Sequence, residues 1–335
     1  MAVFKQREGM VVRFSLFVLL LFAASHAYFG KENESLAVFG WVSLLQSPRT
    51  AAFEGAGSAL QSRDFGAALM NPALLSGEDF GGGASWQGGD FADNQGVLAF
   101  SHSFLTGRMQ HTWGFVDNGE VPHYGYDGEP TGISSHPIAQ YYAITAAFPM
   151  KLFKFGITGR YFWDRLSEVD GGQVAMGLAM DWGFLLNLNS SRYGLALIGR
   201  NFGGLFRPYT KGGETGFATI SEFAIGGFWR SSQNFTWLLE CSAPRYSPAA
   251  GKLGFEYHFS EPVLLRAGIQ RELIDVFRYA RSVFDSNEDT PKAGHHRLFS
   301  LGAGYKIKSF ALDYSYSMLI EGMGYEQRIG FSGNF

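Results

Sequence analysis

The chain has a single cysteine, Cys241, in 335 residues. An intramolecular disulfide and a cysteine-rich metal site are therefore both excluded. Beyond the first 27 residues no apolar run approaches the ~18–20 residues that a membrane-crossing helix needs. Charged residues make up only 17 % of the chain, the formal net charge is −3, and no basic stripe is present, which argues against nucleic acid. Metal-ligand spacing is missing too. His295 and His296 adjoin a strand start, where neighbours point to opposite faces. Asp285, Glu288 and Asp289 lack the spacing of an EF-hand loop. The stretch SHSF puts His102 between Ser101 and Ser103, and in a strand it cannot readily activate either. Glu240 and Arg266 read as a wall charge network. No phosphate loop occurs. These absences predict no enzyme, no metal and no cofactor.

What is present begins at the N-terminus. Lys5, Arg7 and Arg13 precede an apolar core, FSLFVLLLFAA, and Ser25-His26-Ala27 supplies small residues at the cleavage positions. Residues 1–27 therefore read as an export signal. Its removal takes away three basic residues and one acidic, moving the net charge from −3 to −5. No lipobox cysteine follows the core.

Glycine (44) is nearly double the average share of about 7 %, and Phe (32) and Tyr (15) are abundant. Period-two alternation organises them. In the last eleven residues Tyr325, Gln327, Ile329, Phe331, Gly333 and Phe335 share one face, against Glu326, Arg328, Gly330, Ser332 and Asn334. Phe310, Leu312, Tyr314, Tyr316 and Met318 alternate with small and polar residues just before. Fourteen such segments are predicted, at 80–87, 95–105, 109–117, 137–149, 151–164, 173–188, 192–203, 219–230, 233–243, 250–260, 262–270, 296–306, 308–318 and 325–335. Short turns alternate with longer loops between them, the habit of transmembrane barrels whose short turns are periplasmic. The predicted fold class is all-β, a transmembrane antiparallel barrel of about 14 strands, with residues 80–335 as the barrel. Both termini are expected in the periplasm, and the barrel in the outer membrane of a diderm bacterium.

The inward face reads as small and polar, with dispersed charges at Lys154, Arg160, Asp181, Arg200, Glu222, Glu240, Glu256, Arg266, Asp313 and Arg328. Small residues make room for something inside. Residues 28–79, with the apolar but broken stretch AALMNPALLSG, are expected to fill the lumen as a plug. An unplugged porin is disfavoured for the same reason.

The block LLQSPRTAAFEGAGSALQSRDFGAALMNPALLSG (44–77) resembles the N-terminal signature of the PorV/PorQ family, fourteen-stranded outer-membrane proteins with a FadL-like fold. The matching residues are Ser47 and Arg49, Gly55 and Ala56, Asp64, and Asn71-Pro72-Ala73. Glu54-Gly55-Ala56 departs from the Leu-Gly-Gly usual in PorQ-like chains. The likeness continues more loosely through 174–187, 197–206 and 301–317 and is nearer PorQ than PorV. It implies a component of type IX secretion that binds or anchors secreted or surface-attached proteins. The alternative is a FadL-like passive transporter of hydrophobic small molecules, which needs an apolar pocket in the lumen. The small, polar reading of the inner face favours protein binding.

Asn71 is expected to cap or pin the plug, with Pro72 ending any helix. The stretch VPHYGYDGEP offers His123, Tyr124 and Tyr126 as outer-loop partner contacts. Residues 271–289 carry Phe277, Tyr279 and Phe284 at near-helical spacing, predicting a short amphipathic helix at the outer surface. Ile329, Phe331 and Phe335 resemble the C-terminal signal read by the barrel-assembly machinery. Expected partners are thus surface proteins and other secretion or attachment components, outer-membrane lipid and that machinery, with no nucleic acid.

Overall fold

Alternation of apolar and small residues produces strands with one face for lipid and one for an interior. In the computed structural model, residues 37–44, 46–62, 64–76, 80–89, 94–169, 172–186, 192–210, 213, 218–273, 297–319 and 324–334 are described. The predicted export signal, Phe277, Tyr279, Phe284 and Phe335 lie outside them, as do His295, His296 and nearly all of the predicted outer helix.

Fourteen strands form the wall. They are β2 (Phe80–Gly89), β3 (Asn94–Phe104), β4 (Gly107–Asp117), β7 (Ile138–Pro149), β8 (Phe153–Ser167), β9 (Gln173–Leu186) and β10 (Tyr193–Arg207). The others are β12 (Glu222–Arg230), β13 (Phe235–Pro244), β14 (Ala250–Ser260), β15 (Val263–Glu272), β16 (Arg297–Ile307), β17 (Phe310–Leu319) and β18 (Tyr325–Asn334). Each pairs antiparallel with its neighbours, and β18 pairs with β2 from Glu326↔Gly89 to Asn334↔Gly81, closing the ring. Every predicted segment is a wall strand, with ends shifted by a few residues.

Four short strands among the described residues lie off the wall. β1 (Ala37–Val38) runs parallel to β11 (Ala218–Thr219), which in turn pairs with β10 at Gly204. This corrects the predicted strand at 219–230, which begins as a wall strand only at Glu222. The predicted loop at 121–130 forms part of a hairpin, β5 (Val121–Tyr124) with β6 (Pro130–Ser135). Asp127 braces its tip by accepting from the Glu129 amide at 3.2 Å.

The outward face carries an apolar belt. Leu98, Phe100, Leu178, Leu239, Leu301, Ile329 and Phe331 are all about half exposed, a contiguous surface that a soluble protein does not leave open. The predicted inward charges Arg160, Asp181, Arg200, Glu240, Glu256, Arg266, Asp313 and Arg328 are all buried.

Strand β10 contains the main irregularity. Gly199 pairs with Trp182 and Phe202 with Met180, so Arg200 and Asn201 together oppose Asp181. Asn201 adopts φ 56°, the left-handed region that Asn tolerates better than most residues. Its amide donates to the Asp181 carboxylate at 2.6 Å.

Candidate functional site

The interior is built around the N-terminal segment. Ser47 starts a one-turn helix, Pro48–Ala51, by accepting the Thr50 amide at 3.3 Å, and its hydroxyl donates to Asp64 at 2.7 Å. A second turn, Ala67–Met70, ends at Asn71, which is fully buried. The Asn71 side chain accepts the Ala73 amide at 2.9 Å and donates to the Ser58 carbonyl at 2.8 Å, so one residue caps the next turn and ties two parts of the segment. Pro72 and Ala73 begin that turn, Pro72–Leu74. Gly55 has φ 78°, open to glycine without strain.

The segment meets the inner wall on many sides, and it does so at glycines. A Cβ added to Gly83 (β2) would overlap Phe65; to Gly156 (β8), Pro72; to Gly183 (β9), Asn71. Added to Gly226 (β12) it would meet Ser58, to Gly268 (β15) Phe53, and to Gly302 (β16) Ala52. Pro48 lies against Gly330 on β18. Direct bonds add to this packing. Arg200 Nε donates to the Met70 carbonyl at 2.7 Å, Gln110 Nε2 to the Phe65 carbonyl at 3.2 Å, and the Ser300 hydroxyl to Glu54.

Between β8 and β18 the inner wall is ionic. Arg200 binds Glu240 at 3.2 Å and also Glu222, while Lys252 reaches Glu240 at 2.9 Å. Arg266 binds Glu256 at 2.8 Å and also Asp313, and Arg49 reaches Glu256 at 3.4 Å. Arg160 binds Asp181 at 2.8 Å. Buried charges of this kind are tolerated because each is paired.

At the long-loop end of β3–β10 an apolar cluster lies beside buried polar groups such as Gln110, Arg160 and Asp164, which corrects the expectation of an inner face that is small and polar throughout. Val97, Val116, Tyr141 and Phe162 form one cluster with Phe39, Val42 and Phe65 of the N-terminal segment. Phe39 stacks on Phe162 with centroids 4.9 Å apart, and Trp41 meets the same ring edge-on at 6.0 Å. Asp164 pins the lid of this cluster, accepting from Trp41 Nε1 at 3.0 Å and from Tyr209 of the β10–β12 loop at 2.9 Å. Phe39 sits at φ 58°, a conformation costly for an aromatic residue and held here by the packing. This cluster lies toward the long-loop end of the barrel.

A cavity of about 440 Å³ opens at the opposite, short-turn end, between Asp64 and Ser62 of the segment and strands β16–β18. Burial, with Asp313 nearby, raises the pKa of Asp64 above the usual carboxylate range, opposed by Arg49 and the Ser47 hydroxyl.

The sequence-predicted residues divide into three places. Ser47, Arg49, Gly55, Asp64, Asn71, Pro72 and Ala73 come together inside. His123 bonds Ser135 Oγ at 2.9 Å, while Tyr124 and Tyr126 project into solvent from the hairpin. Ile329 and Phe331 face outward on β18. Phe39, Trp41, Tyr141, Phe162, Asp164 and Tyr209 were not singled out from the sequence. Strict alternation along β8 puts Phe162 inside with Arg160 and Asp164, and that was the available signal.

No family model and no curated protein matches the chain. Solved structures do. The Pseudomonas putida toluene transporter TodX aligns with TM-score 0.61 and 13 % identity over 87 % of this chain and 99 % of its own. The Ralstonia pickettii toluene transporter TbuX gives 0.55 and 13 % over 86 % and 98 %. The monoaromatic hydrocarbon channel CymD gives 0.58 and 12 % over 87 % and 97 %. The class is therefore a closed, 14-strand transmembrane barrel with a FadL-like fold. At these identities the likeness carries the fold alone.

Proposed function

We propose that this protein passes hydrophobic small molecules across an outer membrane, with the N-terminal segment 28–79 as a plug in the lumen. One observation carries the reading: the apolar cluster inside β3–β10 is covered, among the described residues, by Phe39, Trp41 and Tyr209, which come from non-wall segments. A hydrophobic solute that displaces those side chains meets the rings of Tyr141 and Phe162, beside Asp164 and Arg160. The comparison structures, two titled toluene transporters and one a monoaromatic hydrocarbon channel, support small apolar solutes as the substrate class. The reading requires no bond making, so no catalytic residue is assigned. It takes residues 1–27 as a removed export signal, both termini as periplasmic, and insertion by the barrel-assembly machinery into outer-membrane lipid.

The test is flux of toluene into liposomes containing the purified barrel. Wild type is expected to exceed protein-free vesicles, and Phe39→Ala/Trp41→Ala to exceed wild type. Equal rates in all three sink the reading.

A second reading keeps the PorV/PorQ resemblance: a type IX secretion component that binds or anchors secreted or surface-attached proteins. It is favoured by the exposed Tyr124 and Tyr126 on the β5–β6 hairpin, an aromatic presentation suited to protein contact. Pull-down from native membranes that recovers surface proteins sharing a C-terminal domain, lost with Tyr124→Ser/Tyr126→Ser, would establish it.

A further inference from the structure

The cavity at the short-turn mouth has no part in the apolar route, and its charge balance is unlike that of the wall around it. Four cationic side chains line it, Arg49, Arg230, Lys306 and Lys308, against the carboxylates of Asp64, Glu256 and Asp313. Those carboxylates are already engaged. Glu256 is held by Arg266 at 2.8 Å and Arg49 at 3.4 Å, Asp313 by Arg266, and Asp64 accepts the Ser47 hydroxyl at 2.7 Å. Lys306 and Lys308, both exposed, make no ion pair among the described residues. Lys306 and Lys308 therefore leave the mouth with cationic charge to spare, while each of its carboxylates already has a partner.

We propose that this mouth binds a phosphate group carried on a polar organic body. Two lysines two residues apart, one at the end of β16 and one in the turn after it, present point charges to a tetrahedral oxyanion from one side of the cavity. A volume of about 440 Å³ is within the range of small-molecule sites and far exceeds what a bare phosphate fills. The remaining lining supplies neutral hydrogen-bonding groups, among them Gln61, Ser76 and Asn334, which suit hydroxyls, beside the apolar Leu60, Phe310 and Ala311. The site is independent of the transport reading, because it lies at the other end of the interior from Phe39 and Trp41 and shares no side chain with the apolar cluster.

Such a phosphate has two sources, a free phosphorylated solute or the headgroup of a periplasmic-leaflet lipid. The experiment is calorimetric titration of the detergent-solubilised full-length barrel with glucose 6-phosphate, glucose and inorganic phosphate. It is run in parallel on Lys306→Gln/Lys308→Gln and on Lys151→Gln, a lysine on a different short turn. The expected result is saturable binding of glucose 6-phosphate, no binding of glucose, and weaker binding of phosphate alone. The double variant is expected to lose at least tenfold in affinity, Lys151→Gln to match wild type, and the wild-type affinity to fall as salt rises. Native mass spectrometry of the same preparations separates the sources: a phospholipid retained by wild type and absent from the double variant assigns the site to a headgroup. Absence of both phosphate binding and retained lipid, or equal affinity in wild type and double variant, overturns the proposal. Unchanged heat-modifiable migration of the variants shows that the barrel itself is intact.

Discussion

At the residue scale Asn71 concentrates two roles in one side chain. Its carbonyl oxygen caps the turn at Pro72, and its amide nitrogen holds Ser58 thirteen positions earlier in the chain. Asn71→Ala leaves the Ala73 amide and the Ser58 carbonyl buried without these partners, an expected loss of about 1–3 kcal/mol per orphaned group. A lower temperature of heat-modifiable migration than wild type would register it, and an unchanged one would contradict it. Asp64 gives a pH signature. Its folded pKa lies above its unfolded one, so the folded state keeps the proton longer. Stability from this group is fully present below the unfolded pKa and falls as pH rises through the window up to the folded one. Asp64→Asn is expected to remove that slope, measured as thermal midpoint against pH in the acid range. Of these two residues, Asn71 was readable from its place before a proline in an apolar stretch. The Ser47–Asp64 bond was not, because the partners are seventeen residues apart and nothing local links them.

At the element scale the instructive case is β10. Strict alternation through 192–203 puts Asn201 outside and Phe202 inside, and the structure has the reverse. Phe202 packs on Phe223 at 4.9 Å, while Asn201 meets Asp181 and Arg160 within. One extra residue in the bulge restores the lipid face beyond it, an arrangement that period two alone cannot express. The bulge also holds the following loop, since Thr219 donates to the Asn201 carbonyl. Deletion of Asn201 keeps the flanking faces in phase and removes these bonds. The barrel is therefore expected to form, with normal heat-modifiable migration, while proteolysis within 208–221 becomes faster than in wild type. The other strands were legible because their wall and lipid faces differ in every second residue. The β5–β6 hairpin was not, because both of its faces meet solvent and its composition resembles an ordinary loop.

At the scale of the whole molecule the abundance of glycine has a geometric cause. Inward glycines on β2, β8, β9, β12, β15, β16 and β18 are among the points where the N-terminal segment touches the wall. The sequence shows small inner residues and a long pre-strand stretch, and from those two facts a filled interior follows. It does not show that an apolar cluster gathers at the long-loop end beside the ionic wall, because that depends on which strands become neighbours across the segment. Removing residues 28–76 leaves the ionic wall facing an open lumen. The truncated barrel is expected to conduct ions in planar bilayers in large steps, where the intact chain shows small or no steps. Matching conductance of the two would mean that the segment does not obstruct the lumen.

The contacts of Pro48 with Gly330 and of Phe65 with Gly83 put the N-terminal segment against both strands of the closing seam, β18 and β2. The segment that precedes the wall in the chain is thus gripped by the first and last wall strands in sequence order. Threading it in afterwards would require passage through an interior that its own side chains fill. An order of assembly is therefore expected in which the segment is in place before β18 zips onto β2 and closes the wall around it.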